Sequence, residues 1–158
     1  MNKDVSYMKM KSFILLLFFA ITLIIMLCYY ETQKKHKLLE KRLITYHNMM
    51  ISALKDELSP DEYVVFVSHL YNTDINDIDP IKVKNGFDKV VNKSAFANSY
   101  KNIDTVFDRN DFDIDMNNNT ATVAIRNLSI TEFWIFDNGN WYLDLSKSKF
   151  GIKELEPI

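Results

Sequence analysis

The stretch Phe133-Trp-Ile-Phe-Asp-Asn-Gly-Asn-Trp-Tyr-Leu-Asp-Leu145 decides the fold. Two runs rich in aromatic and branched residues flank Asn138-Gly139. A two-residue loop of this kind needs positive φ at both positions, which Asn and Gly tolerate best. The hairpin fixes its own register: Asp137 opposite Asn140, Phe136 opposite Trp141, Ile135 opposite Tyr142 and Trp134 opposite Leu143. Side chains alternate across a strand, so Trp134, Phe136, Trp141 and Leu143 share one face. Phe133, Ile135 and Tyr142 occupy the other. Both faces are apolar near the tip, and a single helical layer covers only one of them. The second face needs cover from another part of the chain, a second copy, a protein partner or a bound ligand. Glu132 falls on the Trp134 face, where an acid is unexpected; it is either an edge position reaching solvent or a buried general base.

Upstream, Asp111-Phe-Asp-Ile-Asp-Met116 alternates with period two, turns at Asn117–Asn119, and continues through Val123 and Ile125. Before about Ile103 the period is helical. Thr32–Leu58 carries Leu39, Leu43, Tyr46, Met50 and Leu54 at spacings of three and four, with Ile44, Ile51 and Leu58 as a second row. This is an amphipathic helix packing on the following domain, or a short coiled-coil stalk. Ser59-Pro60-Asp61-Glu62 reads as a capping box with Pro at the first helical position, ahead of a stripe of Tyr63, Phe66, Val67, Leu70 and Tyr71. Asp79-Pro80 repeats the signal for a third helix. That helix is expected to be interrupted or kinked at Asn85-Gly86, with Phe87, Val90, Val91, Phe96 and Tyr100 turned inward. Helices first and a strand meander afterwards predict an α+β domain, with helices packed on a curved antiparallel sheet of about four strands.

Ser12–Tyr30 is 19 residues without a charge. As a helix rising ~1.5 Å per residue it spans most of a hydrocarbon core of ~30 Å. Tyr29 and Tyr30 fall where aromatic side chains settle at a membrane interface. Lys3, Lys9 and Lys11 would also suit the basic region of a signal peptide, but no small-x-small cleavage site follows the apolar run. Leu27 before Cys28 disfavours a lipoprotein. The expected organisation is a basic tail (1–11), a retained anchor (12–30), a juxtamembrane helix (31–58) and a small domain (59–158). Positive-inside counting places the domain in the cytoplasm, because more basic residues follow the anchor than precede it. The difficulty of translocating a short lysine-bearing tail argues for the opposite orientation. We favour an extracytoplasmic domain at the inner (cytoplasmic) membrane.

Charge is divided along the chain of 158 residues. Residues 1–60 hold nine basic and five acidic side chains; residues 61–158 hold ten and sixteen. The total of −2 excludes a polycation for nucleic acid, and one cysteine excludes a disulfide framework. Three glycines leave no room for a phosphate-cradling loop. Counted from Asp111, a calcium loop would need Gly and Glu where Met116 and Thr122 stand, so no metal site is expected. His36, His47 and His69 show no paired ligand spacing. Asn92, Asn118 and Asn127 open glycosylation-type triplets that a Lys- and Asn-rich sequence of AT-biased, bacterial type produces by chance. No cofactor and no catalytic residue are expected.

The order of helices and strands, closing on residues 133–145, resembles the nuclear transport factor 2-like cone fold. An uncleaved anchor ahead of such a domain is similar to the VirB8-like assembly components of conjugative secretion systems. The resemblance covers about residues 60–150, and this chain is short for it, with no clear strand between the second and third helices. That family contains enzymes as well as binding and scaffold proteins, and no family catalytic residue can be carried over, so the leading expectation is a non-enzymatic, single-pass accessory protein whose partner surface involves the second hairpin face, Phe133, Ile135 and Tyr142. The alternatives are a small-molecule pocket with Glu132 as base, or an anchored inhibitor of the immunity type.

Overall fold

A computed structural model of the chain describes residues 3–70, 79–91, 100, 103, 106–126, 128 and 130–150, those of 3–12, 88–91 and 150 by their backbone alone. The fold is α+β. Helices α1 (Lys3–Leu54), α2 (Pro60–Val67) and α3 (Pro80–Val91) precede a 3-10 turn at Arg109–Asp111. Five strands follow: β1 (Phe112–Asn117), β2 (Thr120–Ile125), β3 (Ile130–Asp137), β4 (Asn140–Leu143) and β5 (Lys149–Phe150). The chain divides into two compact units, Met1–Lys37 and Leu38–Ile158.

In the first unit, α1 exposes apolar side chains on every side from Phe13 to Tyr30, Leu15, Phe19 and Tyr30 at 75%, 73% and 70%. No residue of its apolar window is buried, and among the described residues it is the one helix long and apolar enough to cross a membrane. Its two threonine hydroxyls in this unit are satisfied internally: Thr22 Oγ1 donates to Phe18 O and Thr32 Oγ1 to Cys28 O, both at 2.9 Å. Internal satisfaction is what a low-dielectric surrounding requires.

In the second unit the same helix changes character. Leu39, Leu43, Tyr46, His47, Met50 and Ala53 are buried at helical spacing, while Leu54, expected to close the stripe, is only half-buried. The helix stops four residues before the expected Leu58. Asp56 takes the left-handed conformation (φ 59°). Glu57 N then donates to Ser52 O at 2.9 Å and Asp56 N to Ala53 O at 3.2 Å, the pairing of a Schellman end. Asp56 is further held by Lys84 Nζ of α3 at 2.6 Å. At α2 the capping box forms as expected, with Ser59 N donating to Glu62 Oε2 at 2.7 Å and Glu62 N to Ser59 Oγ. The Ser59 donors hold the exposed Glu62 carboxyl below its ordinary pKa. Asp79 Oδ1 caps α3 by accepting from Ile81 N at 3.0 Å. That helix runs unbroken through Asn85-Gly86: one glycine costs a helix about 1 kcal/mol, less than Phe87 gains by packing on Tyr63 and Phe66. Tyr71 and Phe96 lie outside the described residues, as do Asn92 and Asn127.

The sheet is antiparallel in the order β1-β2-β3-β4, with the two-residue β5 also pairing β3. The last hairpin has the register read from the sequence: Asp137 with Asn140, Phe136 with Trp141, Ile135 with Tyr142, Trp134 with Leu143. Asn138 (φ 48°) and Gly139 (φ 83°) both take positive φ. The inner face collects Phe112, Ala121, Val123, Ile125, Ile130, Trp134, Trp141 and Leu143, all buried against α1 and α2 side chains. The free edge of β4 is closed by a parallel bridge from Leu70, where Leu143 N donates to His69 O at 2.7 Å.

Candidate functional site

Glu132 is the acid that the sequence placed on an apolar face, and it is fully buried there. Facing it across the core is His47, one position beyond Tyr46 in the stripe of α1. His47 Nε2 lies 3.2 Å from Glu132 Oε2, and Trp134 Nε1 donates to the same oxygen at 2.9 Å. On the other side of the imidazole, Nδ1 is 2.7 Å from the hydroxyl of Tyr100. One ring proton satisfies both bonds: Nε2–H donates to the carboxylate while Nδ1 accepts from Tyr100 O–H. Burial, and then the nearby Glu132, push the Tyr100 and Tyr46 phenols well above their ordinary pKa, so both remain hydroxyls. The second carboxylate oxygen, Oε1, is buried without a hydrogen-bond partner among the described residues.

Aromatic rings enclose this cluster. His47 stacks on Tyr100 at 6.0 Å and touches Phe107 and Phe112 at 5.1 and 5.2 Å between ring centres. Tyr46 meets His47 edge-on at 5.1 Å and Trp134 at 5.7 Å. A carboxylate, an imidazole and a phenol from three distant parts of the chain are thereby joined in a setting where each hydrogen bond is strong and each missing one costly. Such a cluster fixes the position of α1 on the sheet.

Beside it lies a second buried imidazole. His69 Nδ1 donates to Val65 O at 2.9 Å and Phe66 O at 3.2 Å, which leaves Nε2 as an acceptor; it is buried without a partner among the described residues. Burial, reinforced by the Arg42 guanidinium, lowers the His69 pKa to about 4. Arg42 itself reaches from α1 to the sheet, donating to Ser68 O at 2.9 Å and Trp141 O at 3.2 Å, with its guanidinium 5.8 Å from the Tyr142 ring centre.

The other residues expected at a site are not brought to Glu132. Phe133, Ile135 and Tyr142 are half-buried on the opposite face of the sheet. The segment after β4 covers part of that face: Phe133 N donates to Ser148 Oγ, Asp144 N to Phe133 O, and Lys147 Nζ stands 4.8 Å over the Phe133 ring. Asp144 organises this turn by accepting from Ser146, which holds its carboxyl below the usual range. Ile135 lies between Thr120 of β2 and Tyr142 of β4, and Thr122 and Ala124 on the same face of β2 are exposed. On β1, Asp113 is engaged by Arg126, and in the 3-10 turn before it Asp111 accepts from Asp108 N, so two of the three carboxylates of the alternating stretch are bound within the protein.

His47, Tyr100 and Arg42 were not foreseen in these roles. A signal for His47 existed: it lies four residues after Leu43, on the buried side of α1, and an acid on the facing strand needs a donor. Tyr100 is buried, as its expected inward placement has it, but nothing local marks it as the partner of His47. No family model, no curated protein and no solved structure matches the chain.

Proposed function

We propose that the protein is a single-pass membrane-anchored accessory protein whose domain, on the extracytoplasmic side of a bacterial cytoplasmic membrane, binds protein partners in an envelope or secretion assembly without chemistry of its own. The observation that carries this reading is the exposed apolar surface of α1 from Phe13 to Tyr30. At about 25 cal/mol per Å² of apolar surface, water is a poor solvent for such a helix and a bilayer a good one. Partner binding is supported by the outer face of the sheet, where Ile135 and Tyr142 remain half-exposed beside a polar strand. The order of three helices and a meander is compatible with the cone-type, VirB8-like resemblance, and a curved sheet belongs to the same reading.

Crosslinking in intact cells tests it. The native chain is expected to capture itself or other membrane proteins, and Tyr142→Asp or Ile135→Asp to lose those products while the buried Trp134 and Trp141 keep their native fluorescence. Capture unchanged in both variants would remove the outer face as the interaction surface. A second reading, a small-molecule domain with Glu132 as base, is favoured by the unpartnered Glu132 Oε1. In that case Glu132→Gln abolishes ligand binding or turnover and leaves association intact.

A further inference from the structure

The end of the apolar surface on α1 is chemically abrupt. Tyr29 and Tyr30 are exposed at 66% and 70%, and Lys34, Lys35 and Lys37 follow within two turns of the same helix. Lys35 is drawn to Glu31 at 3.5 Å. Lys34 and Lys37 are exposed, three residues apart on one side of the helix, and neither has an acidic partner among the described residues. At ~1.5 Å of rise per residue they stand ~6 and ~10 Å beyond Tyr30 along the axis. Lysine stems bend toward an interface while their ammonium groups stay in polar surroundings. Both charges therefore fall within about one Debye length (~8 Å) of the phosphate layer that an aromatic interface pair would mark.

Resting on the membrane-anchor reading above, we infer that Lys34 and Lys37, with Tyr29 and Tyr30, form a docking surface for anionic lipid headgroups and gather phosphatidylglycerol-type lipid around the helix. The continuity of the lysines with an apolar surface exposed on all sides favours a lipid phosphate over a soluble anion, because a lipid held by that surface brings its charge to the height of the lysines on the helix. Each lysine near an anionic surface contributes about 1 kcal/mol, a several-fold preference per residue before screening.

The full chain reconstituted in phosphatidylcholine vesicles, probed with spin-labelled phosphatidylglycerol and spin-labelled phosphatidylcholine, measures this preference directly. The native chain is expected to favour the anionic probe, and the preference to collapse in molar salt, where the Debye length falls to about 3 Å. Lys34→Gln/Lys37→Gln should lower the preference at least about twofold, whereas Lys55→Gln/Lys82→Gln, which removes equal charge from exposed positions of the domain, should leave it unchanged. A double variant that keeps the full preference, or a native chain without one, overturns the inference. Carbonate extraction of the same vesicles separates this from failure of the anchor: a chain that washes off defeats the anchor reading, and a retained chain without lipid preference defeats only the lipid surface.

Discussion

Glu132 forms the centre of a hydrogen-bond set that no apolar substitute can reproduce. Its Oε2 is acceptor for both Trp134 Nε1 and His47 Nε2. Glu132→Ala would strand both donors beside a new cavity and is expected to cost about 3–5 kcal/mol. Glu132→Gln retains one acceptor oxygen and adds an amide donor without a partner, for a loss of about 1–3 kcal/mol. Guanidinium unfolding of the full chain in detergent checks both, because Trp134 and Trp141, the only two tryptophans, are fully buried and report the core. A neutral Glu132→Ala would show that the cluster does not hold α1 to the sheet. His69 gives a pH signature. Its native pKa of about 4 lies below the ordinary 6.5, so the unfolded chain binds a proton more readily between those values. Stability from this residue is therefore complete above about pH 6.5, declines as pH falls toward 4, and levels off below, by roughly 3 kcal/mol in all. Comparing unfolding midpoints across that window for the native chain and His69→Gln should show the slope reduced in the variant; parallel curves would contradict the assignment.

The two described glycines give the same substitution opposite signs at the level of the element. At Gly86, within α3, an added Cβ meets nothing within 4 Å and φ is helical. Gly86→Ala should stabilise by about 0.5–1 kcal/mol. At Gly139 the space is equally open, but φ is +83°. Gly139→Ala should destabilise by about 1–2 kcal/mol through backbone strain alone, and thermal unfolding of the two variants decides both signs. These positions also show how much the sequence disclosed. The Asn138-Gly139 register, the Ser59 capping box and the Asp79 cap were legible because each rests on a few adjacent residues with one good solution. The C-terminus of α1 was not legible, since Asp56 occupies the left-handed position that Gly or Asn ordinarily marks, and its Lys84 partner is distant in sequence. Gly86 misled in the other direction, because packing of Phe87 outweighed propensity. Of the site, the face of Glu132 could be read from strand alternation. Its burial and its His47 donor could not, because His47 comes from 85 positions upstream.

On the scale of the whole molecule, α1 carries two kinds of surface. From Phe13 to Tyr30 it is apolar on all sides and exposed; from Leu39 to Ala53 it is apolar on one stripe and buried. The change of pattern within one helix accounts for its unusual length of 52 residues. The first pattern is of the kind a bilayer would satisfy, and the second is satisfied by the sheet. The inner face of the sheet is complete, with Trp134, Trp141, Leu143 and Val123 fully buried. The outer face carries half-exposed apolar surface at Ile135 and Tyr142. The central claim is an anchored chain with its domain outside the cytoplasm. The most direct test is a C-terminal tag on the full chain, exposed to protease in cells stripped of their outer layers, with the intact mass read from the same sample. A digestible tag on a chain of uncleaved mass is expected; a protected tag, or a chain shortened by the apolar segment, would overturn that arrangement.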